Sequence, residues 1–557
     1  MNLKRFGSDR RGSLQVVMAL SALPLMMMGG IAIDMGAAQS RKVELQASVD
    51  YVALLLAKRS ALNPAMTAQQ LVSDGKALLA RRISEPITYS EFYVDPGGIV
   101  VRIDAGIDYE TVFAGIVGKD TIPVTAAADS RFRRKNIEIA VTVDTTNSMD
   151  KRLSGKTRLE GAKEAIQAFT DAVMAGTNTA LNTSVKLALV PFDNQVKVLG
   201  DDEAERIEAD PFRAITWADA YALSSVHRGY LPLDRWQTYR KLRQYGGDKY
   251  GWSGCFEMRP GKYTYSVSAP YWRDRESLFV PFLAPDQPDN RDEYDNYKSP
   301  NSYLPDQGPA CSSPRAPEGT DAWERRELNV CKYDDGAGPL QVGRYAEPGS
   351  YAYVDSNPNG FCTDNNPVYP LSTDIDTFRK SVNALSTRGS WGGTIMPVGF
   401  YWAWNALDRA EPLPEAAPAG EADKYIIFLS DGKNSVHPLR YNSYSPFGYP
   451  GDARWDAAAG WDDDGNVTRD EALHSMTYKM CDAIKADPAN IKVYFVYYLD
   501  KYDAEAEAIG KHCASGDDKF IYATDRDKLI ETFRKIGQEI SRLRLVPYEV
   551  SSTGKSQ

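Results

Sequence analysis

The first long apolar stretch of the chain, GSLQVVMALSALPLMMMGGIAI (Gly12–Ile33), carries no charge. A bilayer core needs about 20 such residues of helix, so the run is of spanning length. Beyond it, QSRKVELQASVDYVALLLAKR (Gln39–Arg59) sets Val43, Leu45, Val49, Val52, Leu55 and Leu56 at mostly helical spacing, which predicts an amphipathic continuation that packs on something as a stalk. ITYSEFYV and GIVVRIDAGIDYETVF, on either side of a Pro-Gly-Gly turn at Pro96–Gly98, then read as β-rich segments. TIPVTAAADSRF closes this small α/β module near residue 134.

A different pattern follows. IEIAVTV (Ile137–Val143) is a short apolar run, Arg158–Met174 has helical spacing, and VKLALVPF (Val185–Phe192) is the next strand. DNQ after Phe192, followed by VKVL, predicts a hairpin to an antiparallel edge strand. The alternation stops at about Gly200 and resumes at about Thr373 with DIDTFRKSVNAL, the loop GSWGGT, and a helix opening at Pro397, where a missing N–H costs nothing. KYIIFL, DEALHSMTYKMCDAIKA, IKVYFVYYL, KFIYA and DRDKLIETFRKIGQEISRLR complete it as strand, helix, strand, strand and helix. Strands alternating with helices predict an α/β fold with a doubly wound, mostly parallel sheet. The expected layout is a basic arm (1–12), a transmembrane helix (13–33), a stalk with the β-rich module (34–135), a sheet domain in two parts (136–199 and 373–545) split by an insertion (200–372), and a tail (546–557).

Charge orients the chain. Lys4, Arg5, Arg10 and Arg11 precede the apolar run, and the next basic pair, Arg41 and Lys42, follows Asp34 by several residues. The positive-inside bias therefore puts the N-terminus in the cytoplasm and the rest outside. A cleaved signal peptide competes with this reading, since DMGAAQ offers small residues to a peptidase. A net charge of -10 without a Lys/Arg block argues against a nucleic-acid surface. The six cysteines include no C-x2-C pair and the chain has only four histidines, which excludes the usual zinc patterns. An exported chain keeps disulfides, and Cys255, Cys311, Cys331 and Cys362 of the insertion can form two bridges in any of three pairings. The insertion's many aromatics either make its own small core or offer a partner surface.

Candidate chemistry gathers where strands end. In a doubly wound sheet, ligands sit at the carboxyl ends of the parallel strands. VTVDTTNSMD puts Asp144, Thr146 and Ser148 at that end of the first strand, and chain tracing brings Thr394 and, after Ser430, Asp431 to the same end. Two carboxylates and three hydroxyls without His or Cys suit a hard divalent cation, Mg2+ first, with Ca2+ or Mn2+ as alternatives. Asn147 between the hydroxyls is a residue type that tolerates positive φ in a tight loop. Such a site leaves a coordination position for an acidic side chain of a partner. The competing reading is that Thr146 and Ser148 only cap the next helix. GWDDDGNVTRDE (Gly460–Glu471) partly matches a calcium loop through Asp462, Asp464, Asn466 and Glu471, although Gly460 supplies no first ligand.

DTTNSM, GGT and LSDG, in that order on an α/β alternation, resemble the metal-ion-dependent adhesion site of von Willebrand factor type A domains, whose first motif is D-x-S-x-S. The resemblance implies a Rossmann-like type A fold, with Asp144, Thr146 and Ser148 in the first loop, Thr394 in the second and Asp431 in the third. Thr146 replaces a serine and keeps the hydroxyl; Asn147 stands where glycine is common. FGSDRRGSLQVVMALSALPLMMMGGIAIDMG with VELQASVDYVALLLAKR is similar to the N-terminal segment of TadE/TadG-like proteins of Flp (tight-adherence) pilus assembly, as CDAIKADPANIKVYFVYYL, HCAS and FRKIGQEISRLRL are to the C-terminal part of the TadG type. That likeness implies a pilin-like module after the helix and a bridge between Cys481 and Cys513. Together these imply a single-pass inner-membrane protein whose C-terminal domains face the periplasm, a non-enzymatic component of pilus assembly binding envelope or pilus proteins through the metal site. Alternatives are a secreted or surface metal-dependent adhesin and a metal-dependent envelope hydrolase, for which His437 is the nearest histidine in sequence to the proposed ligands.

Overall fold

The structure, a computed structural model, describes residues 11–62, 66–94, 100–131, 136–153, 155–176, 184–214, 216–219, 234–286, 301–305, 330–336, 338–343, 345, 356–387, 393–436, 444–448 and 468–541. The chain divides into two compact units, Met1–Arg134 and Lys135–Thr177 with Thr183–Ser541, apart from short peptides between and after them.

The first unit is a long helix, a short one and a three-stranded sheet: α1 (Arg11–Leu62), α2 (Ala68–Arg82), β1 (Ile87–Val94), β2 (Val100–Glu110) and β3 (Thr121–Arg131). The strands pair antiparallel in the order β1-β2-β3. Among the described residues α1 is the one helix long and apolar enough to cross a membrane. Its second half buries Leu45, Val49, Val52, Ala53, Leu56 and Ala57, a stripe at helical spacing, against Val101, Ile103, Ala105 and Ile107 of β2 and Val124, Ala126 and Ala128 of β3. The strand residues alternate because successive side chains leave a strand on opposite faces. Val43, expected on that stripe, is exposed. Thr67 opens α2 with a capping box to Gln70, and Leu71 and Leu79 close the core.

The second unit contains β4 (Asn136–Asp144), α3 (Arg158–Gly176), β5 (Val185–Phe192), α4 (Asp201–Ala209), α5 (Arg235–Gly246), β6 (Tyr369–Ser372), α6 (Ile375–Ala384) and α7 (Met396–Ala406). It continues with β7 (Ala422–Ser430), α8 (Thr468–Lys485), β8 (Lys492–Tyr498), α9 (Ala504–Cys513), β9 (Phe520–Ala523) and α10 (Arg526–Ser541). These strands make a mixed sheet in the order β6-β5-β4-β7-β8-β9, parallel throughout except for β6. The antiparallel edge is therefore Tyr369–Ser372 and not the VKVL segment. Val198 and Leu199 there donate to the Gly254 carbonyl, so their backbone is committed to the insertion.

Both faces of the sheet are covered. Ile139, Val141 and Val143 pack with α3, α6 and α10 through Phe169, Val382 and Phe533. Ala188, Val190, Ile426, Phe428 and Phe495 point the other way, against α7, α8 and α9. Every residue of α7 is buried, and Phe400 stacks on Phe428 with ring centroids 3.9 Å apart. Trp236, Trp252, Phe256 and Phe279 of the insertion are buried, but not in a core of their own: they form a chain of ring contacts that ends on Trp402 of α7, whereas Phe212, Tyr271 and Trp272 are exposed. Cys255 pairs with Cys362, which closes the insertion on itself, and Cys481 pairs with Cys513, which ties α8 to α9. Cys311, the side chain of Cys331, His437 and the loop holding Asp462, Asp464 and Asn466 lie outside the described residues; Glu471 is exposed on α8.

Candidate metal centre

β4 and β7 are parallel neighbours with Val143 opposite Leu429, so their ends are level. That register places Asp144, fully buried, beside Ser430 and Asp431. Asp144 Oδ1 accepts from the Thr146 backbone N–H at 2.9 Å and from its hydroxyl at 2.6 Å, while Oδ2 accepts from Ser430 Oγ at 2.8 Å. Thr146 Oγ1 and Ser148 Oγ are 2.9 Å apart, and Ser148 Oγ reaches Asp431 Oδ1 at 2.5 Å. Asp144, Thr146, Ser148 and Asp431 thus form one chain of oxygens running from strand end to strand end.

Thr146 precedes a short 3-10 turn (Asn147–Asp150) in extended conformation, yet its hydroxyl makes no cap bond to that turn; it is spent on Asp144. The capping role does not describe Thr146. Asn147 opens that turn without the left-handed backbone its residue type allows: among the described non-glycine residues only Asn490 has positive φ.

Thr394 stands on the adjoining loop. Its N–H donates to Ser435 O at 2.7 Å and its carbonyl accepts from Ser435 N at 3.0 Å, which fixes it four residues beyond Asp431. The next residue, Ile395, donates to Asp193 O at the end of β5. Gly393 makes the approach: its φ is +82°, and a Cβ there would lie 2.4 Å from the Ser435 carbonyl oxygen. Thr394 is buried at the same edge but joins this ladder and not the hydrogen-bonded chain of the other four.

Protons are short in that chain. Its three oxygen-to-oxygen contacts share two hydroxyl hydrogens, so one contact has no proton unless a carboxyl carries one. The ionisation follows the same logic: burial first, then the neighbouring Asp431, pushes the Asp144 carboxyl up to about 7. Burial also raises Asp431, against the opposing pull of Ser148 and Arg158. Arg158, the first residue of α3, was not legible as part of the corner. It donates to Asp431 Oδ2 at 2.7 Å and to Asp500 Oδ1 at 3.0 Å. Only its position after a short hairpin (Arg152–Leu153 with Lys156–Thr157) brings it there, and no spacing rule announces that.

An oxygen-only donor set with two buried acids fits a small hard cation. Arg158 occupies the far oxygen of Asp431, and Ser148 holds the near one. Among the described residues no group of three or more His, Cys, Asp or Glu side chains is placed to hold a metal ion, and this corner, with two acids, is no exception.

The comparisons with known proteins fall in two parts. Solved structures that align with the chain, all at low identity and low TM-score, include pilus proteins. It aligns with the RrgA pilus adhesin of Streptococcus pneumoniae at TM-score 0.32 and 11% identity, covering 82% of this chain and 49% of that one. The PilB minor pilin of Streptococcus sanguinis gives 0.30 and 11%, with 81% and 77% covered. The SpaC pilus adhesin of Lactobacillus rhamnosus GG gives 0.30 and 10%, with 82% and 34% covered, so the chain spans about a third of that adhesin. At the level of family, residues 12–55 match the model described as Flp pilus-assembly TadE/G-like, designated Tad. No curated protein matches the chain.

Proposed function

We propose that the protein is a membrane-anchored component of Flp-type pilus assembly, with its second unit a von Willebrand type A-like domain that binds partner proteins through a divalent cation. The observation that carries the cation is the convergence of Asp144, Thr146, Ser148 and Asp431, two buried acids joined by two hydroxyls at the level ends of β4 and β7. These four residues with Thr394 would hold Mg2+, with Ca2+ or Mn2+ as alternatives. When bound, the cation supplies a positive centre that a partner's carboxylate can complete. The Tad match over residues 12–55 and the spanning-length α1 support the pilus and membrane parts. The N-terminus is cytoplasmic and both units face the periplasm in this reading, and the partners are other pilus or envelope proteins.

The test is calorimetric titration of the purified full chain in detergent with Mg2+, Ca2+ and Mn2+. Saturable binding of one cation that disappears in Asp144→Ala supports the site. Equal affinity in Asp144→Ala and Thr394→Val removes it. Loss of surface pili in cells carrying Asp144→Ala at normal protein level would tie the site to assembly, and unchanged piliation would untie it.

A further inference from the structure

The β2–β3 connection, residues 111–120, presents apolar side chains to solvent where a hairpin of a secreted protein would present polar ones. Val112 and Ile116 are 71% and 72% exposed, and Phe113 and Val117 are also exposed. The loop is not loose. Thr111 N–H donates to Asp120 O, Ile116 N–H to Phe113 O, Gly118 N–H to Gly115 O and Lys119 N–H to Ala114 O. The Thr111 hydroxyl closes the base on Lys119 O at 2.6 Å.

What holds the loop in place is α1. Asp34 is buried, and its carboxylate accepts from Val112, Phe113 and Ala114 N–H at 3.0, 2.8 and 2.7 Å. Phe113 lies so close to Gly30 that a Cβ there would meet its ring at 2.7 Å. Asp34 directly follows the uncharged run that ends at Ile33, and Gly30 is one turn inside it, about 6 Å deeper along the axis. The loop is therefore tied to the end of the apolar span with its exposed side chains at the same level as Ile33 and Met35, themselves exposed on α1.

Resting on the membrane-anchor reading above, we infer that Val112, Phe113, Ile116 and Val117 form a second membrane contact, an apolar foot seated in the periplasmic-side lipid interface beside α1. The occupant is lipid, because the loop is fixed at the boundary of the segment that itself requires lipid. The backbone donors of Thr111, Val112, Phe113, Ala114, Ile116, Gly118 and Lys119 are answered within the protein, which lowers the cost of entry into a medium without water. Lys119 and Asp120 then lie at the headgroup side, and the foot adds apolar area of the kind that holds interfacial segments about 5–10 Å into the boundary. Two points of contact, unlike one helix, fix the tilt of the first unit on the membrane.

The full chain in phosphatidylethanolamine–phosphatidylglycerol vesicles provides the test. Single cysteines are introduced as Ile116→Cys, Met26→Cys and Tyr93→Cys and labelled with an environment-sensitive NBD dye, with labelling of the parent chain subtracted. Nitroxide-bearing phospholipid is then added. Quenching at 116 and 26 but not at 93 is the expected result. Quenching at 26 alone overturns the foot and leaves the anchor standing; quenching at none of the three overturns the anchor and the foot with it. Adding Asp34→Ala should release the loop, so quenching at 116 falls while that at 26 is retained. Undiminished quenching at 116 in that variant would overturn the role given to Asp34.

Discussion

Asp144 shows how one side chain can be costly to the apo fold and useful to a ligand. Its carboxyl is buried beside Asp431 and is pushed up to about 7, so ionising it in the metal-free protein is unfavourable. Asn at this position keeps an oxygen for the Thr146 N–H and hydroxyl while removing the charge. Asp144→Asn should therefore leave the metal-free melting temperature unchanged or raise it, and should abolish the rise produced by Mg2+. In the parent chain that rise corresponds to about 2.7 kcal/mol at a hundredfold excess over Kd. Thermal scans with Mg2+ and with EDTA decide it; a variant still stabilised by Mg2+ would place the ion elsewhere. His474 gives a pH prediction. It is buried on α8, its Nδ1 is 3.1 Å from Glu505, and its Nε2 has no hydrogen-bond partner among the described residues. Burial holds its pKa below the usual 6.5, although Glu505 and Asp470 pull the other way and Lys433 adds to the lowering. The folded state thus resists the proton that the unfolded chain accepts, so stability is full above about 6.5 and is lost as pH falls below it. The slope is at most about 1.4 kcal/mol per pH unit. Melting temperatures from pH 8 to 5.5 should drop less steeply in His474→Gln than in the parent chain; parallel curves would assign the slope to other groups.

Elements were legible in proportion to how local their signal is. VKLALVPF and ITYSEFYV are strands over the very residues that their composition marks, because a run of β-branched and aromatic residues bounded by turns needs no distant partner to be recognised. β6 is four residues long and includes a proline, and it becomes an edge strand only by lying against β5, a fact that sequence spacing does not hold. The insertion's packing partner is hidden for a similar reason: Trp402, which completes its ring contacts, stands far along the chain in α7. Of the candidate site, the four residues after β4 and β7 were readable from their strand ends, whereas Arg158 arrives through a loop. Two predictions belong here. Gly537 on α10 lets that helix approach α3 until a Cβ would be 2.8 Å from the Phe169 carbonyl oxygen and 2.9 Å from the Ala172 Cβ. Backbone cannot step aside as a side chain can, so Gly537→Ala should destabilise the second unit by about 1–3 kcal/mol in urea unfolding. A neutral outcome would show that the helices have room to separate. The disulfides differ in the loops they close, 107 and 32 residues of separation. Chain entropy assigns about 5 and about 4 kcal/mol to them. Because the insertion shares its core with α7, Cys255→Ala with Cys362→Ala should increase hydrogen exchange in α7 as well as in the insertion. Protection of α7 left intact would mean that the two parts open separately.

For the whole molecule, two independent features bear on which side of a membrane the second unit occupies. The basic residues Lys4, Arg5, Arg10 and Arg11 stand ahead of the uncharged run, a charge bias that the proposed orientation, N-terminus in the cytoplasm, rests on. The pairs Cys255–Cys362 and Cys481–Cys513, both fully buried, are bonds that persist in an oxidising compartment and are rare in a reducing one. Neither feature depends on the other: the first concerns insertion, the second the redox compartment in which such bonds persist. Their agreement predicts that the chain remains in the membrane fraction after alkaline extraction and that its intact mass retains Met1–Leu62. An introduced cysteine at the exposed Tyr502, Tyr502→Cys, should react with a membrane-impermeant maleimide in cells whose outer membrane alone has been permeabilised, while one at Asn2, Asn2→Cys, should react only after lysis. Extraction of a shorter chain into the soluble fraction would favour signal cleavage and a released adhesin. Labelling at residue 2 before lysis would reverse the orientation and leave the disulfides on the wrong side to survive.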